Sequence, residues 1–271
     1  FESFGEPEGE SRDDHVKQAV SMFKTVFSVM NNNIDLVNYL SDRLISLGNS
    51  IPKQIRECTV NTEKESKYQK LFNIDHLPDD LFVSAGTKAP NRMGFSKYAS
   101  YINSIAEQKY GRPLILAMSA DLSDSTNISG FSKGYGGARD RGFYEKKSNT
   151  KSPLFPQGIT EFTNAGMMAG ASTVNFSVKP YEHFSGFYGA VSTYGSFSYL
   201  KYGPLRLFSQ LAQDSELKVG KIIWVVGHSG PETAEDSRTH YGIFAPGVTQ
   251  LFPNGSIINI HPWEHNEVAP S

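Results

Sequence analysis

The sequence holds one cysteine, Cys58. That excludes an internal disulfide framework and any zinc site built on several thiolates, and it suits a reducing compartment; a cytoplasmic location is the expectation. Long apolar runs are missing too. The longest, residues 114–118 and 222–226, fall far short of the ~20 residues that span a bilayer, and no charged-then-apolar leader opens the sequence. Neither charge sign dominates: 26 basic side chains face 28 acidic ones, a formal net charge of −2. This balance gives no electrostatic reason to expect nucleic acid or an anionic membrane as a partner. What is present is a chain of 271 residues, 38% of them hydrophobic, long enough for one large domain with an appendage.

Residues 1–13 are acidic, contain Gly and Pro, and read as a linker or a disordered segment. Val16, Val20, Phe23, Phe27 and Met30 then recur at alternating steps of four and three, which places them on one helical face. Asn31, Asn32 and Asn33 interrupt that helix. A second stripe, Leu36, Leu40, Leu44 and Leu47, is expected to end at Gly48 as a left-handed cap. The two helices read as a short antiparallel pair serving as a packing arm. Residues 50–93 are charged and irregular, with turn signals at Pro52, Pro78 and Pro90. An arm over residues 1–90 and a domain over residues 91–271 are therefore expected.

From Gly94 the character changes. Residues 95–110 read as an amphipathic helix and 113–118 as a continuous apolar strand. After a glycine-rich loop, 161–172 read as a helix rich in small residues, 171–178 as a strand, and 194–210 as an aromatic helix. Strands over 221–226 and 256–261 follow. Apolar strands alternating with helices predict an α/β domain, a three-layer sandwich with a mostly parallel sheet, preceded by a helical arm. Ligands in such folds gather at the carboxyl ends of the strands, so the loops after Met118 and after Val226 carry the interest.

The first loop reads Ser119-Ala-Asp-Leu-Ser-Asp-Ser-Thr-Asn127, two carboxylates among hydroxyls and an amide. In the second, His228, Asp236, Arg238 and His240 fall within thirteen residues. Composition alone identifies no reaction here, because Asp, Ser, Asn and Gly are ordinary turn residues. No metal site is expected: the two histidines match no helical ligand pair and no third ligand is evident. The loop Gly134-Tyr-Gly-Gly-Ala-Arg-Asp-Arg-Gly142 imitates a phosphate loop, but it neither follows a strand directly nor opens a helix. A mobile surface loop is expected there, its arginines candidates for substrate contact.

Taken together these segments resemble the transketolase superfamily of thiamine diphosphate enzymes, in the domain that grips the aminopyrimidine ring. The first loop is similar to the family run S-A-D-L-T-x-S-N, with one extra residue. Gly158-Ile-Thr-Glu161 is similar to G-x-x-E, and Tyr194-Gly-Ser-Phe197 with Arg206 resembles the aromatic helix walling the pyrimidine pocket. His228 and Glu235-Asp-Ser-Arg-Thr-His240 are similar to T-H-D-S followed by E-D-G-P-T-H. His261-Pro-Trp-Glu-His-Asn-Glu-Val268 resembles R-P-A-D-G-N-E-V. The matches run in family order over roughly residues 92–268. Two departures stand out: Phe162 occupies the family's common histidine position, and Asp236-Ser-Arg replaces D-G-P. The G-I-x-E tetrad and the Y-x-x-F pair resemble homodimeric E1 components of 2-oxo-acid dehydrogenases more than ordinary transketolases.

The resemblance implies thiamine diphosphate as cofactor. It makes Glu161 the buried carboxyl that hydrogen-bonds pyrimidine N1′ and so promotes loss of the thiazolium C2 proton, a role that burial strengthens by raising proton affinity. It makes Tyr194 and Phe197 the ring walls, projecting from one helical face, although each taken singly reads equally well as a core aromatic; Tyr188 and Tyr199 remain further options. His228 and His240 would reach the substrate oxygens as catalytic groups, with Ser125, Asn127, Asp236 and Arg238 binding substrate. In the family, Mg²⁺ holds the diphosphate through a G-D-G motif in a different domain, and no G-D-G occurs in this sequence. The implied partner is thus a diphosphate-binding domain from the same longer polypeptide or a second subunit, within a homodimer acting on a small-molecule substrate. The implied activity is transfer of a two-carbon ketol unit between sugar phosphates, absent without that partner domain. The alternatives are an E1 component decarboxylating a 2-oxo acid, and a non-catalytic dimerisation domain of the same fold.

Overall fold

A continuous run of buried residues at 115–119 can pair only where both faces of a sheet are covered, and the parallel sheet forms around it. A computed structural model describes residues 11–50, 77–135, 140–228, 235, 237–240 and 245–271. Residues 1–10 of the linker expected over 1–13, residues 51–76 of the irregular stretch expected over 50–93, part of the glycine-rich loop (136–139) and Asp236 lie outside the described residues, while residues 12 and 13 are helical instead of linker.

Among the described residues the sheet has four strands, β1 (Ile115–Ser119), β2 (Leu154–Phe155), β3 (Tyr188–Tyr194) and β4 (Ile222–Gly227), all parallel in the order β2-β1-β3-β4. The register pairs Ile115 with Tyr188, Ser119 with Ser192 and Tyr194 with Gly227. Strand order reverses across β1, which makes the β1/β3 junction the topological switch point where crevices open in such sheets.

The helices are α1 (Arg12–Asn32), α2 (Ile34–Ser50), α3 (Asn91–Tyr110), α4 (Glu161–Thr173), α5 (Tyr202–Asp214), α6 (Ala245–Thr249) and α7 (His265–Val268). On one face of the sheet, α3 buries Ala99, Ile102 and Ala106 against Ile115, Ala117 and Ala190, with Ile128 and Phe131 from a 3₁₀ turn. On the other, Ala165 and Met168 of α4 and Leu205 of α5 pack on Leu116, Met118 and Val191. These are the three layers of the α/β sandwich. Helix α3 stops at Gly111, whose φ of 71° suits a residue without Cβ and whose N–H bonds Glu107 O at 2.9 Å. At the C-terminus, the N-E-V segment is structural. Asn266 exchanges two hydrogen bonds of 2.9 Å with the backbone of Val83, and buried His265 reaches the carbonyls of Pro90 and Leu81.

Two compact units result, Phe1–Thr59 and Val60–Ser271. The first is the helical arm. Only Asn33 separates α1 from α2, and neither helix buries a residue. Phe23 at 64% and Leu36 at 65% exposure show that the stripes do not close on each other, as the expected antiparallel pair requires. Gly48 lies inside α2 instead of capping it.

Three further expectations are corrected. The strand expected at 171–178 is the end of α4 followed by irregular chain. The aromatic helix expected from Tyr194 begins with strand: Tyr188–Tyr194 is β3, then a 3₁₀ turn Gly195–Lys201, then α5. Pairing on both sides, with β1 and β4, overrides the local preference there. Residues 256–261 form no strand, and Ile258 is largely exposed.

Candidate active site at the strand ends

Glu161 opens α4 and would ordinarily be a solvated first-turn acid favourable to the helix dipole. Here it is only 5% exposed, because α4 lies flat on the sheet. Thr193 of β3 donates its hydroxyl to Glu161 Oε1 at 3.0 Å, while Oε2 takes no hydrogen bond from the described residues. One carboxylate oxygen is anchored and the other is left for a donor.

The next residue along β3, Tyr194, begins a cluster of rings. Its centroid lies 4.7 Å from that of His228 and 5.1 Å from that of His240. Phe197 lies 5.9 Å from His240, and the two imidazoles are 6.1 Å apart. Tyr194 and Phe197 do not share a helical face as the sequence suggested. Tyr194 ends a strand and Phe197 sits in the 3₁₀ turn, yet both reach His240. The structure thus groups Tyr194, Phe197, His228 and His240, while Glu161 is held by Thr193, the residue before Tyr194 on β3.

The loop after β1 is latched to the same place. Ser192 Oγ donates to Ser119 Oγ at 2.8 Å, and Thr126 Oγ1 lies 2.9 Å from Ser192 Oγ. The non-glycine residues with positive φ among those described are Asp121 and Asn127, both at 58°, and His228 at 50°. All three sit in loops at the carboxyl ends of β1 and β4, and such uncommon backbone is tolerated where a surrounding structure fixes a functional loop. Of the substrate candidates, Asn127 is half-buried, whereas Ser125 and Arg238 lie at exposed positions. Ser125 directs its hydroxyl to Leu122 O at 3.3 Å.

Residues 98–269, more than half of the chain, match the family model of the transketolase pyrimidine-binding domain. The chain belongs to this family. Comparison with curated proteins gives no match. The family name directs attention to a flat nitrogen heterocycle, and the chemistry of the residues present fits one: a buried carboxylate with a spare oxygen, anchored to β3, and, past the ends of β3 and β4, an aromatic pair grouped with two imidazoles. Among the described residues no group of three or more His, Cys, Asp or Glu is placed to hold a metal ion, and no helix is long and apolar enough to cross a membrane.

Sequence reading missed a buried ionisable residue behind Thr193. Lys201 is 1% exposed, its Nζ donating to Val191 O at 3.1 Å and Val225 O at 3.0 Å. Burial pushes its proton affinity well below that of an ordinary lysine, and the negative charge of Glu161 opposes that shift. The available signal was its spacing of three from Ser198 and four from Leu205, both buried.

Proposed function

We propose that this domain supplies the pyrimidine-binding half of the active site of a transketolase-like enzyme, one that moves a two-carbon ketol unit between sugar phosphates. Buried Glu161, half-satisfied by Thr193, carries the reading, because a carboxyl withdrawn from water with one oxygen spare suits a shared proton with a ring nitrogen. Thiamine diphosphate, when bound, supplies the nucleophilic carbon and the electron sink that the protein lacks. Glu161 Oε2 would hold the proton at N1′, and Tyr194 and Phe197 would wall the flat ring. His228 and His240 would donate to substrate oxygens. Asn127, Ser125, Asp236 and Arg238 would bind the substrate's hydroxyl and phosphate groups.

Mg²⁺ and the diphosphate would be held by a second domain, from a longer polypeptide or a partner subunit, within a homodimer. An apolar rim supports this: Ile159 and Phe162 flank Glu161 in sequence and are exposed, as are Tyr199 and Leu200 beyond Phe197. The test is to purify the full-length protein and supply thiamine diphosphate, Mg²⁺ and candidate substrates. Ketol transfer from xylulose 5-phosphate is the expected result. Decarboxylation of a 2-oxo acid would move the assignment to an E1 component, and no cofactor-dependent signal would leave a non-catalytic domain.

A further inference from the structure

Lys201 is a buried amine for which the chemistry above has no use. Its stem passes the Trp224 ring, with Nζ 5.6 Å from the centroid, and its head bridges carbonyls of two neighbouring strands, Val191 in β3 and Val225 in β4. Those carbonyls lie two residues before Thr193, which anchors Glu161, and three before His228. Two residues of strand span ~7 Å, and Val191 and Thr193 share the α4 face of β3. The lysine head and the carboxylate therefore stand on one buried face, both engaged to β3. Of the elements packed around Lys201, β3 and β4 bring carbonyls and the indole ring, and α4 brings the opposing charge, Glu161. A lysine serving only as a strand clasp would need no carboxylate near it.

We propose that Lys201 and Glu161 form one buried charge couple, with Lys201 the positioning residue that gives Glu161 its counter-charge and fixes the strand ends beside it. The inference rests on the reading of Glu161 given above as the group that meets the pyrimidine. Removing either member leaves the other buried without its counter-group, which is costly, whereas removing both relieves that cost.

A double-mutant cycle on thermal melting of the chain tests the couple without cofactor. Lys201→Met and Glu161→Gln each lower the melting temperature, and the combined variant melts at least ~3 °C above the value obtained by adding the two shifts, the size expected for coupled neighbours in a domain of this length. Additive shifts overturn the proposal. A second measurement needs no change at position 201: the titration of Lys201, followed through its ¹³Cε resonance, moves to lower pH in Glu161→Gln, and an unmoved titration overturns the couple even where Lys201→Met does not fold. In the assembled enzyme, Lys201→Met lowers kcat by ~10-fold or more with KM much less affected, and Lys201→Arg restores most of it. Coupled melting with wild-type turnover in Glu161→Gln would instead remove the site reading. Uncoupled melting with turnover lost in Glu161→Gln would remove the couple and keep the site.

Discussion

The two faces of the sheet are equally dry and chemically unlike. Under α3, the buried polar side chain Asn103 is fully spent. Its amide nitrogen donates to Ile115 O at 3.0 Å and Phe131 O at 3.4 Å, and its oxygen accepts from Leu114 N at 3.1 Å and Ile115 N at 2.8 Å. Under α4 and α5, the carboxyl of Glu161 and the amine of Lys201 are both buried, and burial pushes the proton affinity of the lysine down. The amide nitrogen of Asn164, the indole nitrogen of Trp224 and the hydroxyl of Ser209 are buried there without hydrogen-bond partners among the described residues. An unpaired buried polar group costs ~1–3 kcal/mol, so a face built for packing alone would not keep several. The α3 face spends its polarity on the fold, and the α4 face keeps ionisable groups and unspent polarity around Glu161.

Substitutions on the two faces should separate in kind. Glu161→Gln gives the largest effect, a loss of turnover of ~10²–10⁴-fold in the assembled enzyme, the range of a positioned acid–base group, with circular dichroism unchanged. A global loss of structure would make Glu161 a packing residue and erase the contrast. Asn103→Ala does the reverse. Leaving the Leu114 and Ile115 N–H groups unpaired should cost ~2–4 kcal/mol by denaturant melting, with turnover per folded molecule preserved. His240→Ala is expected to reduce kcat/KM by ~10-fold or more, equivalent to ~1.4 kcal/mol, without altering the melt; wild-type kinetics would remove it from the site.

The smallest effect is a pH slope. Burial holds the folded-state proton affinity of Lys201 well below that of the unfolded chain, where lysine titrates near ~10.4. Between those two values the unfolded state binds more protons, so stability rises with pH across that window. Lys201→Met should flatten the rise. The melts belong below pH ~10, the ordinary tyrosine range, because burial raises the values of Tyr98 and Tyr135 and they pull stability the other way above it. An unchanged slope would mean that Lys201 is not the group responsible.

Strands β1 and β4 were legible because unbroken apolar runs admit few other readings, and α3 and α4 because their apolar and small residues recur with helical period. Strand β3 was hidden. Gly189, Ala190, Ser192 and Thr193 give it little apolar signal, and only its two neighbours in the sheet make it a strand. The opposite error occurred at 256–261, where isoleucines suggested a strand and no partner pairs with them. Among the candidate site residues, Glu161, Tyr194, Phe197 and both histidines are singled out by motif spacing. Lys201 was not, since a lysine beside aromatics reads as a solvated helix position and its burial follows from where α5 lands on the sheet. The stripes of α1 and α2 were readable as helix faces, but a period cannot say whether a face is covered.

The central claim is that the Glu161 carboxyl activates the bound cofactor. Exchange of the C2 hydrogen of thiamine diphosphate for deuterium in the assembled enzyme, quenched in acid and followed by proton NMR, measures that activation without depending on substrate. The account predicts fast exchange in the wild type and a fall of at least ~100-fold in Glu161→Gln, with the cofactor still bound. Equal exchange in both would contradict it.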